Sequence, residues 1–135
     1  MGRDARAIIV TKERLKDEIL ESLKSITDDN EVVYTKIDDY HCYDTTYRNT
    51  CLTDNINTGN LDLKIGTEYY IIENDGLSGF EWSVFNKKEK SSDCIDTFYE
   101  EKDSIIKQAE KAIKDIEAEV NLIKVVRYYL DKNVN

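Results

Sequence analysis

His41 and Cys42 stand side by side in a stretch that also holds Asp38, Asp39, Asp44 and Cys51, the one segment with every polar ligand type. A zinc ion takes about four N and S ligands in a tetrahedron, most often from paired Cys/His knuckles. Adjacent residues of an extended chain point to opposite sides, and the next Cys is nine residues on. The pair is awkward for one metal, and the segment reads as a polar loop with incidental ligands. Cysteine nucleophiles need an imidazole within hydrogen-bond reach. His41 is the sole His and would serve Cys51 or Cys94 only through a tertiary contact. Three cysteines, Cys42, Cys51 and Cys94, in no CxxC spacing argue against a disulfide framework and for a reducing cytoplasm. No GxSxG, phosphate-cradling glycine loop or HExxH occurs, and Asp75-Gly76 is turn chemistry rather than a calcium loop. With 28 acids in the chain, no carboxylate pair stands out as acid and base. The expectation is a protein without metal, cofactor or catalytic residues. A small enzyme using the 38–51 loop is the alternative.

Charge is more informative. Of 135 residues 35% are charged, against about 25% in an average domain. Residues 28–81 hold 12 acids and 3 bases, so the whole net charge of −9 lies there. Asp38, Asp39, Asp44 and Asp54 fall in this centre, interleaved with Tyr40, Tyr43 and Tyr47. Clustered like charge steers a cationic partner, and tyrosine suits interfaces because its ring is apolar and its tip polar. These seven residues are the candidate partner-binding set. No basic surplus exists for direct nucleic-acid binding. No apolar run approaches the roughly 18 residues of a membrane span.

Several elements must position these groups. Ala7-Ile8-Ile9-Val10 reads as a short buried strand or as the approach to a helix. Leu15, Ile19, Leu23 and Ile26 recur at helical spacing, with Thr11 as N-cap and a Val10–Leu15 staple, which predicts a helix over 12–26. Residues 31–37 (EVVYTKI) are strand-like, and 38–60 form a long polar connection, functional or hiding a short element. A further short strand is expected at 60–65. Residues 67–73 and 80–86, separated by a Gly-containing turn, predict a hairpin with Phe80, Trp82 and Val84 on its core face. Thr97 and Glu100 match a capping box, and apolar residues at steps of three and four predict a long helix over 98–131, about 50 Å. From Val120 the apolar residues spread over several faces, so a strand after a shorter helix stays open. The stripe through Ile113, Ile116, Val120 and Ile123 predicts a homodimer through that helix. Together these give one α+β domain over 1–135: an antiparallel sheet of three to five strands, an N-terminal helix and a long C-terminal helix.

Proline is absent, while Lys, Ile, Asn and Tyr, with AT-rich codons, are abundant. That points to an AT-rich genome, a low-GC bacterium or a phage or plasmid living in one. In size, charge and base composition the chain resembles the small acidic proteins with which phages and mobile elements block bacterial defence, anti-CRISPR and anti-restriction proteins among them. The acidic, Tyr-rich centre leads to the expectation of a non-enzymatic inhibitor that binds a basic, nucleic-acid-handling protein, in its sharpest form as a DNA mimic. An immunity protein or antitoxin against a nuclease toxin shares the same features.

Overall fold

The most apolar run of the N-terminal half becomes the centre of the fold. In the computed structural model, which describes residues 5–28, 30–48, 50–58, 69–74, 81–88, 91–99 and 122–133, β1 (Ala5–Thr11) has neighbours on both edges and is buried along nearly its whole length. A strand covered on both faces needs apolar residues at every position rather than alternate ones. This is why Ala7–Val10 is a strand and not the start of a helix.

The remaining elements are α1 (Asp17–Ile26), β2 (Val33–Ile37), β3 (Tyr40–Tyr47), α2 (Leu52–Asn57), β4 (Tyr69–Asn74), β5 (Glu81–Lys88), β6 (Ser91–Tyr99) and α3 (Leu122–Asn133). The six strands run in the order β2-β3-β1-β4-β5-β6, and every neighbouring pair is antiparallel. Strands β1 and β2 both oppose β3 and are therefore parallel to each other, joined through α1 with β3 between them. By the same logic β3 and β4 are parallel, joined through α2 with β1 between them. This is the split βαβ connectivity of ferredoxin-like folds, extended beyond β4 by β5 and β6.

The pleat divides the core into two. Ile8, Val10, Tyr40, Cys42, Tyr70, Ile72, Trp82 and Val84 pack with Leu122, Val125, Val126 and Tyr129 of α3 on one face. On the other, Ala5, Ala7, Ile9, Tyr43, Tyr47, Tyr69 and Ile71 pack with Leu15 and Leu23 and with Leu52 of α2.

Several expectations are corrected here. Among the described residues no long C-terminal helix over 98–131 is shown: residues 91–99 are strand β6, Thr97 pairs with Ser83, and the described helix α3 has 12 residues, about 18 Å. Residues 100–121 lie outside the described residues, and with them Ile113, Ile116 and Val120 of the expected dimer stripe. The mixed run after Val120 is a helix after all. Leu122, Val125, Val126 and Tyr129, at helical spacing, face the sheet, while Lys124 and Arg127 face water. With β6 the sheet has six strands, one above the expected range.

The first helix begins at Asp17, not residue 12. Thr11 ends β1 opposite His41, and its hydroxyl donates to the Glu13 carbonyl (2.6 Å), so it caps nothing. Lys16 occupies the cap position without a side-chain bond. The chain spends residues 12–16 turning from the sheet end onto its face. The expected hairpin is present as β4–β5, with Ile72 opposite Val84 and Asn74 opposite Trp82. Phe80 and the strand expected at 60–65 lie outside the described residues.

Candidate binding surface

The polar stretch from residue 38 to 60 contains β3 and α2. Its strand was hidden because its inward residues are not the usual aliphatics. Tyr43, Thr45 and Tyr47 point to the α1–α2 face, and the buried Thr45 hydroxyl donates to the Ala7 carbonyl (2.8 Å) with the Tyr47 hydroxyl also 2.8 Å away. Strand β2 turns into β3 through Asp38 and Asp39, with Asp38 in the left-handed region at φ 51. Asp tolerates that conformation better than most residues.

Three of the seven candidate residues are core residues. Tyr40, Tyr43 and Tyr47 are at most 2% exposed. Tyr40 packs under α3 with the Lys12 ammonium 5.7 Å from its ring centre. The Tyr43 hydroxyl accepts the Leu15 N–H (2.9 Å), and burial raises the Tyr43 and Tyr47 pKa values. These tyrosines hold the two layers on the sheet, so the aromatic half of the expected binding surface is absent from it.

The acids are separated. Asp44, opposite Ile8, faces the α3 side, where the Arg6 Nε donates to its Oδ1 (2.9 Å) and Arg6 Nη2 to its Oδ2. The pair raises the Arg6 pKa, chiefly through the hydrogen bond to Asp44, and it lines a shallow cleft of about 250 Å³ with Glu31, Val33 and Thr46. Asp54 is exposed on α2, across the sheet from Asp44. Asp38 and Asp39 are exposed together at the hairpin tip, with Asp38 3.0 Å from Lys124 of α3. Asp28 likewise pairs with Arg48 at 3.1 Å. Three of the central acids, Asp28, Asp38 and Asp44, are thus held in ion pairs within the chain. The structure brings together only Asp38 and Asp39.

His41 sits on β3 diagonally from Tyr34 of β2. The Tyr34 hydroxyl and His41 Nδ1 are 2.6 Å apart, the rings stack at 5.8 Å, and the Arg14 guanidinium lies 5.3 Å from the Tyr34 ring centre. Desolvation, then Lys36 and Arg14, lower the His41 pKa. Burial pushes the Cys42 and Cys51 thiols up to about 12. Both are protonated at neutral pH, which removes the thiolate that nucleophilic or ligand chemistry requires. Among the described residues no three His, Cys, Asp or Glu side chains gather as a metal site.

Two buried charges were not foreseen, Glu73 and Lys87. Glu73 Oε2 accepts the Thr53 N–H (3.0 Å) in the first turn of α2, and Lys87 Nζ donates to Asn57 Oδ1 (3.0 Å) at its last residue. An acid at a helix start and a base at its end suit the backbone dipoles, and six residues are too few for a helix to stand alone. The sheet clamps α2 at both ends, fixing where Asp54 emerges. The signal for Glu73 was its parity: it shares a strand face with Tyr69 and Ile71, both buried.

No family model, curated protein or solved structure matches this chain.

Proposed function

We propose that this is a non-enzymatic binding protein whose exposed carboxylates engage a basic surface on a nucleic-acid-handling protein, as an inhibitor of the kind mobile elements deploy against bacterial nucleases. The observation that carries the reading is the Asp38–Asp39 tip. Two adjacent exposed carboxylates stand on a two-residue turn fixed by the β2–β3 ladder, so little ordering entropy is lost when a partner binds them. The Asp38–Lys124 contact does not block this role. An exposed ion pair is worth about 0–1 kcal/mol, and an arginine of the partner can displace it. The buried free thiol of Cys42 suits a reducing cytoplasm.

The test starts from a partner captured from a low-GC bacterium and its nuclease complexes. Asp38→Asn with Asp39→Asn removes two charges with little change of shape. Association should slow and its salt dependence flatten, since exposed charges act over about 8–10 Å at physiological ionic strength. Duplex DNA should compete with the wild-type protein. The matched control is Glu18→Gln with Glu21→Gln on the exposed side of α1, which should bind as wild type. Undiminished binding of the tip variant at low salt, or simultaneous binding of DNA and this protein, refutes the reading.

A further inference from the structure

Strand β2 ends the sheet. Among the described residues it has a strand neighbour on one side, β3. Antiparallel strands turn the N–H and C=O of alternate residues to opposite edges. Counted from the Ile37–Tyr40 pair that closes the two-residue turn, Tyr34 and Lys36 turn theirs away from β3. This edge also carries two of the exposed large hydrophobics, Val33 at 50% and Tyr34 at 39%. An edge with open backbone groups and apolar side chains is a template for another strand.

We propose that β2 pairs antiparallel with β2 of a second copy of this chain, about a two-fold axis at Thr35, joining two six-stranded sheets. The proposal is independent of the acidic tip. A two-fold antiparallel pair must set one residue opposite itself, so few registers exist. With Thr35 on the axis, Tyr34 faces Lys36 of the second copy and Val33 faces Ile37 of the second copy. Thr–Thr, ammonium–aromatic and aliphatic β-branched pairs are all favourable cross-strand neighbours. Val33 and Ile37 share the α3 face, where Ile37 already packs on the core, so the pairing continues that apolar layer across the axis. Tyr34 and Lys36 share the opposite face. The neighbouring registers are poorer. An axis at Lys36 sets two lysines opposite each other and Tyr34 against Asp38, while one at Tyr34 sets Ile37 against Glu31. Lys36, the kind of residue that guards an edge against association, is here the partner of an exposed ring.

The test is sedimentation equilibrium from about 10 µM to 1 mM, because a single five-residue strand pair lies at the small end of specific interfaces. The wild type should move from the 15.7 kDa monomer toward twice that mass. Tyr34→Lys, which sets two lysine pairs across the axis, should stay monomeric throughout. Tyr34→Lys with Lys36→Glu should restore the dimer, and Tyr34→Glu alone should keep it at low salt, with circular dichroism showing every variant folded. A wild type monomeric at 1 mM overturns the proposal. So does a dimer indifferent to Tyr34→Lys, which would place association on another surface.

Discussion

The clamp on α2 makes a sharp prediction, because two substitutions at one position should behave oppositely. Glu73 is 5% exposed and accepts the Thr53 N–H at 3.0 Å. Glu73→Ala removes a buried hydrogen bond, worth about 0.5–1.5 kcal/mol, and leaves a buried N–H without that partner, a further cost of about 1–3 kcal/mol. A loss of about 3 kcal/mol follows, and at about 2–5 °C per kcal/mol for a domain of this size Tm should fall by roughly 10 °C. Glu73→Gln keeps the volume and an acceptor oxygen but drops the charge. Burial raises the Glu73 pKa, so the fold disfavours its ionised form. Between the unfolded pKa of about 4.3 and the raised folded value, the native state binds more protons, so this contribution to stability is complete below the unfolded pKa and lost as pH rises through the folded one. The Gln variant should therefore match or exceed the wild type at pH 7, gaining on it as pH rises from the unfolded pKa to the folded one and holding level above. Urea unfolding of the three proteins between pH 4 and 8 reads both effects. Gln costing as much as Ala, or a wild-type-to-Gln difference flat with pH, would refute the clamp.

Three further outcomes are expected. Asp44→Asn, which removes the charge that the half-buried Arg6 guanidinium faces, should cost about 1–3 kcal/mol in urea unfolding; an unchanged midpoint would show the pair to be worth no more than an exposed one. The His41 imidazole should titrate below its ordinary 6.5 by NMR, and Lys36→Ala should move it up. Because that pKa is lowered in the fold, its stabilising contribution is present above 6.5 and lost as pH falls through the folded value; a titration at or above 6.5 contradicts this. The Cys42 and Cys51 thiols should resist alkylation at pH 8 in the native protein and react on unfolding, as mass spectrometry of the modified sites would show; native reaction at the rate of a free thiol would argue against their burial.

Local pattern determined part of this protein. The 3–4 spacing of Leu15, Ile19, Leu23 and Ile26 made α1 legible, and alternation made Trp82 and Val84 core residues of the β4–β5 hairpin. Both signals reside in a few successive residues and survive any arrangement of the layers. The cap of α1 was not legible, because Thr11 is held in β1 by pairing with His41, a contact 30 residues away. Nor was the C-terminal part: Ser91–Tyr99 had a capping box at its end, and the free edge of β5 took it as a strand. The candidate site divided in the same way. That Asp38 and Asp39 form a turn is local chemistry. Which way each side chain of β3 faces, and what covers that face, is not. A strand buried on one side shows its orientation through alternating hydrophobicity, but β3 lies under α3 on one face and under α1 and α2 on the other. With both faces buried, Tyr40, Tyr43 and Tyr47 all go inside, Asp44 must find Arg6, and a carboxylate such as Glu73 can be enclosed where a helix end meets it. Which residues alternate and which recur in helical steps is written locally along the chain. Which of those faces meets water is not, because that depends on layers supplied by distant parts of the chain.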